Sequence, residues 1–181
     1  MDIRNSQDNY GALARAAHWA STLAVVAAFT LGQLGEVFGK ANEAALVFAH
    51  VQAGLAVLAL LAIRLAWRFV DPAPPPVASR FDPWAARAAT LGHWALYALL
   101  LAVPLAGLVA LFARGQPLNV AGLVEIASPW VRDRALARSA KEIHEILSDA
   151  LVLLAGLHAL AALAHHYVFK DPTLRRMLGG T

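Results

Sequence analysis

The histidines are the residues of this sequence with the clearest chemical potential. The chain contains seven histidines and no cysteine, so thiolate zinc sites, cysteine-bound iron–sulfur clusters and cysteine nucleophiles are excluded. Four of the seven lie in one apolar stretch near the carboxyl end, at His144, His158, His165 and His166. Because an ionisable side chain is unfavourable in hydrocarbon, histidines in such a stretch indicate a functional role. Any metal ligands in this chain must be histidines.

The composition indicates which environment surrounds these histidines. Of the 181 residues, 59% are hydrophobic and 15% are charged, which is too apolar for an ordinary soluble domain. We predict one integral membrane domain over residues 1–181. The net charge of +3 favours contact with a membrane surface and not nucleic-acid binding. The first 20 residues are polar and lack a small-residue cleavage site, so we predict no removable signal peptide.

Four long apolar segments are the elements that must position the histidines. They lie at about residues 13–38, 44–69, 88–112 and 140–169. Each reaches the about 20 residues that a helix needs to cross the hydrocarbon layer. The fold class predicted is therefore all-α, an integral membrane four-helix bundle. A proline-rich connection follows the second segment, and the third connection is long enough to form a surface cap.

The distribution of basic residues predicts the orientation of the bundle. An even number of spans puts both termini on one side. That side carries nine basic residues, and the other side carries six: Arg4, Arg15, Arg64, Arg68, Arg80, Arg87, Lys170, Arg175 and Arg176 against Lys40, Arg114, Arg132, Arg134, Arg138 and Lys141. The positive-inside rule therefore places both termini in the cytoplasm.

Four histidines then match in pairs by depth. His18 lies near the cytoplasmic end of the first segment, and His50 lies near the outer end of the second. In the fourth segment His144 is near the outer end, and His158 follows fourteen residues later. Helix geometry separates those two by about 21 Å and returns them to nearly the same face. Depth therefore pairs His50 with His144 and His18 with His158.

Two imidazole pairs at two depths are what bis-histidine ligation of two stacked haems requires. A histidine near a helix end is also compatible with an ordinary hydrogen-bonded interfacial residue. A zinc site would bring three or four ligands to one depth, which pairs about 21 Å apart do not provide. Gly54 and Gly156 can either admit a flat macrocycle or serve helix packing.

Several stretches of the chain resemble one known family, the bacterial cytochrome b561 family of four-helix dihaem membrane proteins. The resemblance lies in "ARAAHWA", "FAHVQAGLAVLALLAIRLAWR", "LGHWALYALLLAVPLAGLVA", "RGQP", "KEIHEIL" and "GLHALAALAHHYVFKDPTLRRML". It covers almost the whole chain, and the proline-rich loop and the third connection are its least specific parts. Within the family, the chain resembles most the members that act as superoxide oxidases.

The resemblance implies a cofactor content and a reaction. It implies two haem b groups, with His18 and His158 on the cytoplasmic-side iron and His50 and His144 on the outer iron. It also implies a multi-pass protein of the bacterial inner membrane that passes electrons from periplasmic superoxide to ubiquinone. Superoxide, ubiquinone and membrane lipid are therefore the expected partners.

Four further residues are candidates for contacts with the cofactors and the quinone. His165 lies about 10 Å beyond His158 on nearly the same face, where a quinone taking up protons needs a donor. His93, at the cytoplasmic end of the third segment, is a second quinone candidate. Arg64 and Arg68 are one turn apart and suit haem propionates, although contact with lipid phosphate is the alternative. For His165, the alternative is an ordinary histidine at the level of the lipid headgroups.

The outer side carries a group of basic residues that is a candidate for steering superoxide. Steering of a small anion by a cationic cleft raises association rates. Acidic residues among them, and lipid phosphate as a competing partner, leave a role in membrane anchoring open. The group consists of Arg114, Arg132, Arg134, Arg138 and Lys141.

Two other functions are compatible with the sequence. The same helix pattern resembles haem subunits that relay electrons between a partner dehydrogenase or hydrogenase and quinone, which would make a redox partner protein necessary. Such subunits of the hydrogenase type usually carry an extra span, and we find no fifth apolar segment. A histidine-lined metal transporter is a third class, which the matched depths favour less.

Overall fold

The computed structural model describes residues 2–37, 42–75 and 83–179. Its elements, in chain order, are α1 (Ala12–Val37), α2 (Glu43–Val70), α3 (Pro83–Ala113), β1 (Leu118–Val120), β2 (Val124–Ile126), α4 (Arg134–Tyr167) and α5 (Thr173–Leu178). Phe38, Lys40 and Arg80, which entered the predicted segment bounds and the charge count, lie outside the described residues. We call the end of the bundle with both termini the inner end, and the opposite end the outer end.

The four long helices are the membrane spans. Within the described residues, α1 to α4 are all long and apolar enough to cross a bilayer. Large apolar side chains such as Leu23, Leu153 and Leu160 are exposed on their outer surfaces. Such a surface suits acyl chains, and a helix satisfies its own backbone hydrogen bonds there. The predicted all-α, four-span fold is confirmed, and the chain is a multi-pass membrane protein.

Local sequence explains where α2 and α4 have their boundaries. The carboxylate of Asp133 accepts hydrogen bonds from the backbone N–H groups of Ala135 and Leu136, at 2.9 and 3.0 Å, and so caps the start of α4. At the other boundary, α2 ends at Val70, and Asp71 is followed by Pro72, which disfavours helical backbone in the residue before it.

The bundle consists of two helical hairpins. α1 packs along α2, α3 packs along α4, and the hairpins meet mainly through α2 and α3. In the described part of the chain, α1 and α4 barely contact each other. The buried core lies at mid-depth between α2, α3 and α4 and consists of Val57, Leu61, Leu100, Val103 and Leu151.

The third connection forms the cap that the sequence predicts, but it contains a β-hairpin that the sequence did not indicate. β1 pairs antiparallel with β2, with Val120 opposite Val124. Gln52 of α2 anchors the hairpin, because its Nε2 donates to the Asn119 carbonyl at 2.8 Å and its Oε1 accepts from the Ala121 N–H at 2.8 Å. The cap is therefore fixed two residues beyond His50 on the same helix.

Candidate functional site

His50 on α2 and His144 on α4 face each other toward the outer end. Their ring centroids are 5.8 Å apart and their planes are at 86°. Nδ1 of His50 lies 2.8 Å from the carbonyl oxygen of Ala28, and Nδ1 of His144 lies 2.8 Å from that of Val103. Because a carbonyl oxygen only accepts, each Nδ1 carries the proton and each Nε2 keeps its lone pair. We call His50 and His144 the outer pair.

Two glycines make room for the rings of the outer pair. A Cβ added at Gly32 of α1 would lie 3.3 Å from two atoms of the His50 ring. A Cβ added at Gly107 of α3 would lie 3.2 Å from two atoms of the His144 ring. Both distances are shorter than ordinary contact, so the imidazoles rest directly on glycine backbone. The sequence could have indicated these glycines only if the neighbouring helices had been known.

The glycines that the sequence did single out have a different environment. At Gly54 and at Gly156, an added Cβ would meet no other atom within 4 Å. Gly54 lies one turn from His50 on the same face of α2, beside the outer pair. The open space there is compatible with the approach of a flat ring to the helix backbone.

His18 on α1 and His158 on α4 form a second pair toward the inner end, which we call the inner pair. Their ring centroids are 6.3 Å apart, and their planes are at 64°. His93 of α3 joins them, since its ring lies edge-on to that of His158 with the centroids 5.3 Å apart. Nδ1 of His93 donates to the carbonyl of Ala89 at 2.7 Å, which fixes the ring against its own helix. His93 is thus beside the inner pair and at its depth.

The geometry of both pairs fits bis-imidazole ligation of iron. A bond of about 2 Å from a metal to each imidazole nitrogen puts two opposed ring centroids about 6 Å apart. The observed 5.8 and 6.3 Å agree with that spacing. α1 and α4 carry the two rings of the inner pair and barely contact each other in the described part of the chain. By contrast, no group of three or more His, Asp or Glu side chains in residues 2–37, 42–75 and 83–179 is arranged to hold a metal ion.

Three arginines lie toward the inner end of α1 and α2, and their surroundings differ. Arg64 is half-buried, and its Cζ lies 5.2 Å from the centroid of the Tyr97 ring. Arg68, one turn further, is exposed. Arg15, three residues before His18, has a buried Nε without a hydrogen-bond partner in the described structure. The sequence pattern did not indicate Arg15 as a site residue, because a buried nitrogen without a partner is visible only once the helices are packed.

At the inner end of α4, His165 pairs with Asp171. Nδ1 of His165 lies 2.5 Å from Oδ2 of the carboxylate, and the other oxygen accepts from the Thr173 N–H at 2.9 Å. Burial acts to raise the pKa of Asp171, but the hydrogen bonds from His165 and Thr173 outweigh it and hold that pKa below its ordinary value. His166 points elsewhere, and its buried Nδ1 has no partner among the described residues.

The outer cap gathers the basic residues that the sequence indicates. The Asp133 N–H donates to the Ala113 carbonyl at 2.9 Å, so the third connection returns to the point where it leaves α3. Lys141 is paired with Glu145 one turn along α4. The other four basic residues are exposed and have no ion pair in the described part of the chain. We call them the outer arginines: Arg114, Arg132, Arg134 and Arg138.

Four membrane helices that enclose opposed imidazole pairs at two depths define the class of haem-binding membrane cytochromes. The sequence model for prokaryotic cytochrome b561 matches residues 9–180 of this chain. The chain belongs to the prokaryotic cytochrome b561 family and is a membrane haem protein.

Curated relatives agree with this assignment. The chain is 34% identical over 183 residues to "Cytochrome b561 homolog 2" of Escherichia coli (strain K12), covering 99% of this chain and 96% of the relative. It is 32% identical over 169 residues to "Probable superoxide oxidase CybB" of Yersinia pestis, covering 93% and 95%. A third relative is "Cytochrome b562" of Cereibacter sphaeroides, 34% identical over 72% of this chain and 66% of the relative.

Proposed function

We propose that this chain is a dihaem oxidoreductase that passes electrons from superoxide at its outer end to ubiquinone at its inner end. The observation that carries the proposal is the presence of two imidazole pairs, 5.8 and 6.3 Å apart between centroids, at two depths of one bundle. The similarity to a relative named as a probable superoxide oxidase supports the choice of donor. The excess of basic residues at the inner end supports an inner-membrane protein with cytoplasmic termini.

The outer pair would hold one haem b and the inner pair the other. In the outer pair, the backbone carbonyls of Ala28 and Val103 fix the tautomer and leave both Nε2 lone pairs available, so these two nitrogens would hold the iron. The haems, when bound, accept and release single electrons, which the apolar side chains of this chain cannot do. Leu151 lies seven residues from His144 and seven from His158, so the packed core separates the two cofactor sites.

Arginines near the inner pair would bind haem propionates. Arg64 is half-buried at this level, and the buried Nε of Arg15 lacks a partner in the described residues. A guanidinium suits a carboxylate because its donors match both oxygens. Arg68 is exposed, so lipid phosphate is an equally suitable partner for it.

The outer arginines would draw superoxide toward the outer pair. They are exposed and without ion pairs in the described structure, and the closed base of the cap keeps Arg114 near Arg132 and Arg134. Lys141 adds little to this field, because Glu145 neutralises it. The attraction of an anion to such a cluster weakens as salt screens it.

The quinone would bind at the inner end, close to His158. His165 lies two helical turns beyond that ligand, and the ring of His93 lies against it. His165, when both of its ring nitrogens carry protons, would donate from Nε2 to a quinone oxygen, whereas His93, whose Nδ1–H is held by the Ala89 carbonyl, offers its Nε2 as an acceptor for a quinol hydroxyl. A ubiquinone becomes a quinol by taking two electrons, from two superoxide ions that become dioxygen, and two protons.

Two measurements on the purified protein test this proposal. The first is the haem-to-chain ratio with a reduced-minus-oxidised spectrum, for which we expect two haems per chain. The second is reduction of a short-chain ubiquinone after addition of potassium superoxide, compared with the same mixture containing superoxide dismutase. Quinone reduction that the dismutase does not suppress, or a protein without haem, would contradict the proposal.

A relay subunit serving a partner dehydrogenase is the second candidate function. One observation favours it: the outer cap exposes apolar side chains, with Leu123 86% and Val131 91% accessible, where a partner protein can dock. A relay would carry haem but would reduce quinone only when its partner is added. The superoxide assay on the isolated protein therefore separates the two candidates.

A further inference from the structure

The carboxylate of Asp171 holds His165 from outside the membrane span. Asp171 follows α4, and its Oδ2 lies 2.5 Å from Nδ1 of His165. A carboxylate is only an acceptor when ionised, and the pKa of Asp171 lies below its ordinary value. Nδ1 of His165 therefore carries a proton, and the nitrogen left for any other partner is Nε2.

The contact between Asp171 and His165 depends on an unfavourable backbone conformation. After α4 the chain reverses through Lys170, a non-glycine residue with φ of 55°. The reversal lets the Asp171 N–H donate to the His165 carbonyl at 3.1 Å and brings the Asp171 carboxylate back to the His165 ring. Without it, the residues after α4 would continue away from His165.

Asp171 is also anchored on its other side. Its Oδ1 accepts from the Thr173 N–H at the start of α5. α5 is in turn bound to α1, because the Trp19 indole N–H donates to the Met177 carbonyl at 3.1 Å. Arg176 of α5 donates to the backbone carbonyls of Gln7, Asp8 and Pro75. The carboxylate is thus preorganised relative to the inner end of the bundle.

We propose that Asp171 is the positioning residue of the quinone site, holding His165 so that Nε2 is the atom that binds and protonates a quinone oxygen. This inference rests on the proposed function. It adds a residue that neither the haems nor the quinone would touch.

The quinone takes two electrons, which come from two superoxide ions that leave as dioxygen. An imidazolium at His165 gives one proton from Nε2 to the reduced quinone oxygen and becomes neutral, with its Nδ1–H still on Asp171. The ionised carboxylate stabilises the imidazolium before transfer and does not itself take the proton. Side-chain exposures of 33% for His165 and 22% for Asp171 let water replace the proton, and the same exchange supplies the second one.

Replacing Asp171 by Asn separates this role from a structural one. An asparagine keeps an oxygen to accept from Thr173, so the start of α5 is preserved. Its amide group, however, donates to Nδ1 and fixes the neutral tautomer with the proton on Nε2. That ring still donates a hydrogen bond to quinone but is a poor acid. We therefore expect KM for a short-chain ubiquinone within about two-fold of wild type and kcat lowered about 10-fold to 100-fold, as for loss of general acid catalysis.

The matched control is Asp133→Asn. At the start of α4, a carboxylate oxygen of Asp133 accepts from the backbone N–H groups two and three residues on, much as Oδ1 of Asp171 accepts from the N–H two residues on at the start of α5. The readout is reoxidation of pre-reduced haem by ubiquinone in stopped flow, which does not depend on superoxide capture. We expect wild-type rates for Asp133→Asn, slow rates for Asp171→Asn and His165→Ala, and partial recovery in Asp171→Glu, which restores a carboxylate.

Three results would contradict either the role of Asp171 or the quinone site on which it depends, and they can be told apart. If His165→Ala is slow and Asp171→Asn is as fast as wild type, Asp171 only holds the start of α5 through the Thr173 N–H. Loss of haem absorbance in Asp171→Asn would also assign Asp171 a structural role. If His165→Ala and Asp171→Asn both reoxidise at the wild-type rate, the quinone site itself lies elsewhere, and the proposed function must change at that point.

Discussion

Gly107→Ala tests whether the outer pair depends on the glycine beneath it. A Cβ at this position would lie 3.2 Å from two ring atoms of His144. Ordinary van der Waals contact begins at about 3.4 Å, and the optimal separation is about 3.8 Å. The ring must therefore move by a few tenths of an ångström away from α3. That movement stretches the 2.8 Å hydrogen bond from Nδ1 to the Val103 carbonyl, which lies on the same helix.

The substitution should weaken one haem site without weakening the helix. Alanine is favoured over glycine in a helix interior by about 1 kcal/mol, so α3 itself gains stability. A displaced imidazole, however, loses axial alignment and the hydrogen bond that fixes its tautomer, which typically costs about 10-fold to 100-fold in metal affinity. We expect purified Gly107→Ala to contain less than two haems per chain, with the deficit confined to the outer site.

The assay is the haem-to-chain ratio with a redox titration that resolves the two haems. Gly92→Ala is the matched control, because Gly92 lies on the same helix and an added Cβ there meets no atom within 4 Å. If Gly107→Ala and Gly92→Ala retain equal haem and equal potentials, the close approach of His144 to α3 has no functional consequence. Glycine at position 107 would then not determine the position of the His144 ring.

Three other predictions concern the ligands, the cap and the inner end. Replacing either member of the outer pair by Ala should remove one haem and leave the other, and the inner pair should behave reciprocally; equal loss of both haems from every folded variant would contradict separate sites. Arg134→Glu or Arg138→Glu should lower the second-order rate of the reaction with superoxide, whereas Arg175→Glu at the inner end should leave that rate unchanged. The wild-type rate should also fall as the salt concentration rises. If the rate responds neither to salt nor to these charge reversals, the basic residues anchor the protein to the membrane. The pKa of Asp171 in the folded protein lies below the ordinary value of 3.8, so the ionised carboxylate should stabilise the fold above that pH. This stabilisation should be lost as the pH falls through the pKa of the folded state. The thermal unfolding temperatures of wild type and Asp171→Asn should therefore converge only in acid.

The four spans and the depth of the histidines could be predicted from the sequence alone. A bilayer requires about 20 apolar residues per helix and forbids unpaired backbone, so hydropathy determines the elements. The regular rise of a helix then gives each histidine a depth. Those two facts place His50 at the depth of His144 and His18 at the depth of His158, but His93 shares the inner depth, so depth alone does not decide which two inner rings face each other.

Lateral neighbours could not be predicted in the same way. Hydropathy does not say which helices are adjacent, so the contacts of Gly107 with His144 and of His93 with His158 were not foreseen. The β-hairpin was also missed, because its position depends on Gln52, a single side chain on a distant helix. Asp171 was missed for a related reason, since its return to His165 depends on the left-handed backbone at Lys170.

One face of α4 organises the whole proposed electron path. His144, Leu151, His158 and His165 follow one another at intervals of seven residues. Each interval is about 10.5 Å of helix and drifts by only about 20° in direction, so the four side chains form one column. In the proposed function this column would consist of an outer haem ligand, an apolar spacer that belongs to the buried core, an inner haem ligand and a proton donor. A single rigid helix would therefore set the distances between the proposed cofactors and the quinone, while α1 and α2 would supply the opposing imidazoles, and α1 and α3 supply the glycines on which the rings of the outer pair rest.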